Sequence, residues 1–465
     1  MLTAVETADR VRRGELKAVD RVRQALDAVE KRNPALNAFV RVDAEGALAR
    51  AAEIDAQVAA GGDPGPLAGV PIGVKDMEPV EGFVMTQGSW FHRDNPPETA
   101  DSRHVGRLRA AGAIILGITA ASEFGMDSAT TSKLWGVTRN PWNLDVTPGG
   151  SSGGSSSAVA GGLVPIGTGT DAGGSIRAPA AFTGLVGLKP SHGRIPKMNG
   201  FSSWSTHGAV VRTVADAARH LDVTCGPDDG DRQSLPAPGY AYEDIIETLD
   251  VRGLRAVWSR DFGYAAVEPE VADIAEAAAR RLMRAAGLTE TGKPFLPINI
   301  YPHWGAIFGS TLEEDFIRDG ILPDGHDMLS KPVQRLLAKV RARKDTYNVK
   351  ASWEEVYKLE QQVRGFFLEH DLLFSPATAC APYGADDPIP TVIDGKDSSL
   401  SGAEPFGMLA NACWNPSISI PAGMTAAGLP VGLQITARRH RDDHLLRLAR
   451  IAELENPWPF PDTRA

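Results

Sequence analysis

Residues 148–177, from Pro148 to Arg177, read PGGSSGGSSSAVAGGLVPIGTGTDAGGSIR. No residue between Val146 and Thr170 is charged, yet glycine and serine share the stretch with the apolar runs Ala158-Val159-Ala160 and Leu163-Val164-Pro165-Ile166. A flexible Gly/Ser linker would not carry runs that demand burial, so this is not a spacer. Glycines around hydroxyls in an apolar setting bring backbone close to a small ligand and leave amide N–H groups free to face it. The serines thereby become candidates for chemistry.

Three readings compete. Gly167-Thr168-Gly169-Thr170-Asp171-Ala172 has the form of a dinucleotide fingerprint, but no Asp or Glu lies between Asp171 and Asp216 to take a ribose hydroxyl. A phosphate-binding P-loop would close on Gly-Lys-Ser/Thr, and neither glycine run does. The third reading is acyl transfer: Gly173-Gly174-Ser175 sets a hydroxyl directly behind consecutive unobstructed amides, as an oxyanion hole requires. No local pattern supplies a histidine base, since His192 sits in a turn of its own, so a Ser-His-Asp arrangement cannot be argued from spacing.

The flanks read as alternating helix and strand, which points to an α/β sheet. Thr3 to Glu6 fits a capping box. Val22, Leu26 and Val29 mark a helix expected to stop at Asn33-Pro34, and Asp43 caps a third. From Leu67 a short apolar strand with Val70, Ile72 and Val74 ends in Lys75. Burying an ammonium is costly unless it is paired or neutral, so taken alone a lysine that snorkels to the surface is the plain reading and a buried functional lysine the alternative. Further strands are expected at 113–116, 185–188, 254–258, 371–375, 417–420 and 431–435, and a long helix over 269–286. Residues 295–348 are irregular; an ordinary helical insert is the plain reading and a lid over a pocket the functional one. His440 and His444, four apart among Arg438, Arg439, Arg441, Asp442 and Asp443, read as a solvated helix face rather than a metal site.

Across 465 residues, 43% hydrophobic and 23% charged content is ordinary for a soluble globular protein. That length alone favours more than one domain. The net charge of −10 argues against nucleic acid and against anionic membranes as partners. Cys225, Cys380 and Cys413 are far apart with no CxxC spacing and read as small buried hydrophobes, so no metal is expected. With neither a signal peptide nor a membrane span in the pattern, the cytoplasm is the expected location.

Taken together, GVPIGVKD with Lys75, PGGSSGGSS with Ser151, and GTGTDAGGSIRAPAAFTGLVGLKPSHGRIP with Ser175 resemble the amidase signature family. The similarity extends to PVGLQITARRHRDDHLLRLAR at 430–450 and is weakest between about 226 and 371. It implies an α/β class protein: one α/β/α domain over 1–465 with a central mixed β-sheet covered by helices. Its parts would be a helical lead-in over about 1–66, a signature core over about 67–225, and a variable region over about 226–370 lining or covering the pocket. By the same resemblance Ser175 is the nucleophile, Ser151 a bridging serine after a cis peptide, and Lys75 the general base. Backbone amides of Ala172, Gly173, Gly174 and Ser175 would form the oxyanion hole, and Asp171 and Arg177 a structural ion pair. No cofactor is implied. A lysine works as a base near neutrality when burial destabilises its ammonium form, which suits the end of an apolar strand.

For the substrate pocket the candidates are Met77, Met126, Phe201, Trp204 and Trp414. Together they favour a small apolar or aryl amide, with aryl carbamates (urethanes) and esters presenting the same carbonyl. The alternative is a glutamine-hydrolysing A subunit of a tRNA-dependent amidotransferase. No arginine set for a glutamine carboxylate is identifiable, which counts against it. A non-hydrolytic binding module is disfavoured by the intact Lys75, Ser151 and Ser175. The expected partner is the small-molecule amide or carbamate, and a homodimer is compatible with the pattern.

Overall fold

A computed structural model describes residues 1–197, 203–346 and 348–461. Eleven strands form one mixed sheet. Their spatial order begins Phe39–Val42, Ile114–Thr119, Pro71–Lys75, Ile166–Asp171, Thr206–Val211 and Val186–Lys189. It continues with Ser417–Met424, Pro430–Ala437, Leu372–Pro376, Arg255–Trp258 and Thr289–Glu290. Pro71–Lys75 runs parallel to both its neighbours. From Ile166–Asp171 to Leu372–Pro376 successive pairs are antiparallel.

Strand side chains alternate between faces, and this alternation divides the core in two. Ile115, Ala209, Val211, Leu372 and Phe374 join a cluster with helices Arg103–Ala110, Val214–Thr224, Pro269–Ala285 and Asp442–Glu455. Ile114, Leu116 and Val210 point the other way, against helices Ala18–Leu36, Ala44–Ala59 and Gly153–Ala160. Leu373 and Val257 meet helix Val349–Glu369 in a third cluster. The expected α/β/α arrangement around a mixed sheet is what the chain adopts.

Helix Gly153–Ala160 is buried at every residue. Its serines are satisfied inside the protein: Ser157 Oγ donates to the Arg139 carbonyl at 2.7 Å, and Ser155 Oγ lies 2.7 Å from Thr119 Oγ1. Burial without orphaned hydroxyls is how an uncharged Gly/Ser stretch fills a core.

Two local expectations, the stop of the second helix and the solvated His444, differ from the structure, whereas the helical insert expected over 295–348 is present. The second helix passes through Pro34 and ends at Leu36, where Asn37 takes a left-handed conformation. Asn33 Oδ1 accepts from the amides of Ala38 and Phe39, so the side chain organises the exit and proline does not set it. Residues 295–348 contain helices Tyr301–Phe308, Leu312–Arg318 and Lys331–Arg343. Leu312–Arg318 and Lys331–Arg343 share a core of their own, Phe316, Leu322, Leu329 and Leu337 among others, onto which Phe124 and Met126 pack, while Tyr301–Phe308 packs in the third cluster with Val349–Glu369. His444 is buried beside Arg441 rather than solvated, and Asp442 accepts from the Ser191 amide and hydroxyl at 2.7 Å each. A local charge run gave no sign that the loop carrying Ser191 would cover this helix start.

Candidate active site

Every residue of Pro71–Lys75 is buried. Lys75 ends the strand beside Ile166–Asp171, which presents Thr168 and Thr170 at alternate positions. The Lys75 amide donates to Thr168 Oγ1 at 3.0 Å. Its Nζ lies 2.7 Å from Ser151 Oγ, 2.9 Å from Thr170 Oγ1 and 3.4 Å from the Thr170 carbonyl. With no solvent contact, the ammonium is destabilised and the Lys75 pKa falls to about 7, although Glu78, Asp171 and Glu404 pull it upward. The Gly150–Ser151 peptide is cis.

Ser175 is half-buried in the loop joining Ile166–Asp171 to helix Arg177–Thr183. Asp171 shapes this loop. Its carboxylate accepts from the Gly174 amide at 2.8 Å, the Ile176 amide at 3.2 Å, and Arg177 Nε and Nη2 at 3.0 and 2.9 Å. Burial opposes a charge on Asp171, yet the Arg177 guanidinium holds its carboxyl well below the usual carboxylate range. Arg177 is satisfied in turn by Asn411 Oδ1 at 2.7 Å, Gln434 Oε1 at 3.0 Å and the Gly407 carbonyl at 3.0 Å. The expected ion pair is therefore present and fully buried.

One member of the expected oxyanion set is corrected by this network. The Gly174 amide is engaged by Asp171 and is not free to hold an oxyanion. Among the described residues, the amides of Ala172, Gly173 and Ser175 make no such bond, and all three residues are partly exposed. A Cβ on Gly407 would collide with the Gly173 carbonyl, so only glycine lets the helix Gly407–Ala412 support the loop this closely.

The pocket candidates divide. A Cβ placed on Gly125 would lie 2.9 Å from the Met77 thioether and 3.4 Å from Ser151 Oγ, so Met77 and Ser151 border the same space. Met126 instead packs on the helical insert's core. Trp204 is buried edge-on to Phe308 at 4.9 Å and to Trp353 at 6.3 Å, and its carbonyl accepts from Asn411 Nδ2 at 3.0 Å. Asn411 also donates to the Asp171 carbonyl at 2.7 Å, tying Trp204 to the Ser175 loop. Trp414 stacks on His192 at 4.2 Å. Phe201 lies outside the described residues.

Residues not anticipated from the sequence include Thr168, Thr170, Glu404, Asn411 and Gln434. The two threonines were legible: alternate positions in GTGTD face one side of a strand. Glu404, Asn411 and Gln434 arrive from more than two hundred residues away with no local signal. Glu404 lies against Gly174; burial pushes its carboxyl up to about 8, and Oε1 has no hydrogen-bond partner among the described residues.

A mixed α/β/α sheet that holds a buried lysine on one serine and a second serine in a glycine-rich loop has the chemistry of a hydrolase. Residues 20–446 match the family model described as Amidase, and the chain belongs to that family. It is an amide-hydrolysing enzyme. The chain is 35% identical over 471 residues to an acylamidase of Rhodococcus erythropolis, covering 98% of this chain and 96% of the relative. It is 34% identical over 484 residues to the A subunit of the glutamyl-tRNA(Gln) amidotransferase of Roseiflexus sp. (strain RS-1), covering 98% and 97%. In structure it is similar to a bacterial aryl acylamidase of the amidase signature family, with a TM-score of 0.90, 28% identity, and 98% and 96% of the two chains covered. Among the described residues no helix is long and apolar enough to cross a membrane.

Proposed function

We propose that the chain cleaves small apolar or aryl amides, and aryl carbamates and esters, through Ser175, Ser151 and Lys75 and a covalent acyl-enzyme. The observation that carries this reading is the 2.7 Å contact between Lys75 Nζ and Ser151 Oγ in a site where the lysine is fully buried. A neutral amine has two N–H bonds and one lone pair. With the hydroxyl and carbonyl of Thr170 accepting the N–H bonds, the lone pair is left for the Ser151 hydroxyl proton.

In this mechanism Ser151 passes its proton to Lys75 and takes one from Ser175 as Ser175 Oγ attacks the substrate carbonyl. Amides of Ala172, Gly173 and Ser175 hold the resulting oxyanion. The Lys75 ammonium then returns a proton through Ser151 to the leaving nitrogen, the C–N bond breaks, and the Ser175 ester remains. Water attacks that ester by the same relay, releasing the acid and restoring the Ser175 hydroxyl.

Met77 beside Ser151 supports an apolar substrate, and the acylamidase relatives support an apolar or aryl amide. The amidotransferase relative supports the second reading, glutamine hydrolysis within a complex. A fluorophosphonate should label Ser175, mapped by mass spectrometry; labelling of another serine would reject the relay. A kcat/KM panel of anilides, aliphatic amides, glutamine, carbamates and esters should favour anilides and aryl carbamates. A preference for glutamine with anilides ignored would move the assignment to the amidotransferase reading.

A further inference from the structure

Behind Lys75 lies a second polar cluster that the hydrolytic relay does not use. The Glu78 amide donates to the Lys75 carbonyl at 3.0 Å, and the Glu78 side chain is fully buried. Glu78 Oε2 lies 2.7 Å from Nδ1 of His104, on helix Arg103–Ala110, and 3.0 Å from Nδ1 of His207, on strand Thr206–Val211. The other ring nitrogen of His104, Nε2, faces Nε2 of His220, on helix Val214–Thr224, at 2.8 Å. Four separate elements thus send side chains to one point. The donor atoms of Glu78, His104 and His207 all lie within 4.8 Å of one another.

Two atoms there are not accounted for by the protein. Glu78 Oε1 has no hydrogen-bond partner among the described residues. His207 Nδ1, although close to Glu78, makes no hydrogen bond of acceptable geometry and is likewise unpartnered. A buried carboxylate oxygen left unsatisfied is costly, and native proteins rarely leave one so.

We propose that Glu78, His104 and His207 form a binding site for a divalent transition-metal cation of the zinc class. Two imidazoles and a carboxylate are a donor set that zinc accepts, with a fourth position left for water. Coordination through Nδ1 of His104 requires its ring proton on Nε2, where it meets His220 Nε2 as acceptor. Such a partner behind a ligating imidazole fixes its tautomer and orientation. Metal bonds of about 2.0–2.1 Å place tetrahedral donors roughly 3.4 Å apart, so small side-chain rotations from the present 2.7 and 3.0 Å complete the site. His207, with 14% of its side chain exposed, gives access from solvent. The bound cation pins the turn after Lys75 to two helices and a strand, a structural role separate from hydrolysis. It replaces the expectation of a metal-free chain.

The test uses the whole chain stripped by a chelator and titrated with ZnCl₂ by calorimetry, with metal content measured by plasma mass spectrometry after dialysis. One zinc per chain and a higher Tm are expected. His207→Asn and Glu78→Gln should each weaken zinc binding by about tenfold or more. Should either variant fail to fold, zinc K-edge absorption on the unaltered protein provides the readout, expected to show nitrogen and oxygen ligands with imidazole scattering. Retention of less than about a tenth of an equivalent, unchanged affinity in folded variants, or sulfur in the zinc shell would each overturn the proposal.

Discussion

Gly174 and Glu404, 230 positions apart, touch across the candidate active site: a Cβ on Gly174 would lie 2.8 Å from Glu404 Oε2. Gly174 also has φ of +136°, a conformation that L side chains rarely adopt. The loop that carries Ser175 is thus held by a missing side chain on one side and by the Asp171 carboxylate on the other. Gly174→Ala is expected to cost about 1–3 kcal/mol of stability, read by denaturant unfolding. It should also lower kcat more than it raises KM, because the displaced amides of Gly173 and Ser175 are proposed to act on the transition state. Unchanged kcat with an unchanged Tm would remove the geometric argument for this loop.

Much of the site was legible because its parts are local. An apolar strand ending in lysine and serines among glycines are patterns that short-range physics explains, whereas the roles of Lys75, Ser151 and Ser175 came from the family resemblance and Thr168 and Thr170 were not anticipated. Most strands and the long helix were legible for the same reason, Pro269–Ala285 differing from expectation by one residue at its end, but Phe39–Val42, Thr206–Val211 and Thr289–Glu290 were not anticipated. What was not legible depends on distant partners. Commitment of the Gly174 amide to Asp171, support of Arg177 by Asn411 and Gln434, and convergence of Glu78 with three histidines arise only when the sheet closes. The exit of the second helix is set by the Asn33 side chain, which local pattern does not single out.

Lys75 should carry opposite effects on activity and stability. Its ammonium is destabilised by burial, so its folded pKa lies near 7, below the usual lysine range. The neutral form is the proposed base, and kcat/KM should rise with pH through about 7 as that form accumulates. Between that value and the unfolded lysine pKa the unfolded chain binds more protons, so stability also rises with pH across this window. Lys75→Met removes the buried amine. Hydrolysis should fall by about 10²–10⁴-fold while Tm near neutral pH stays level or increases. Retained hydrolysis in the folded variant would exclude Lys75 as the base.

Ser151 is proposed to handle protons twice, once for attack and once for departure of the leaving group. An alkoxide or phenoxide leaves with little help, whereas an amine must be protonated. Ser151→Ala should therefore depress anilide hydrolysis by a larger factor than aryl ester hydrolysis, measured as kcat/KM on a matched acyl group. Equal losses on both would point to a role in folding or binding instead. Circular dichroism and Tm should be close to the parent, because the change deletes one buried hydroxyl and leaves Thr170 to hold Lys75.

Asp171 and Arg177 are fully buried, so each depends on the other for its charge. Arg177→Met leaves an unpaired carboxylate in the core and should destabilise by about 3–5 kcal/mol in chemical unfolding. The double variant Asp171→Asn with Arg177→Met should recover part of that loss, since the uncompensated charge is gone. Recovery should be incomplete, because Asp171 also receives the amides of Gly174 and Ile176. The carboxyl is held below the ordinary range, so its stabilisation is complete above the unfolded carboxylate pKa and is lost as pH falls below it. The parent should lose stability on acidification more steeply than the double variant. Parallel acid-unfolding curves would show that the ion pair contributes nothing to the loop that positions Ser175.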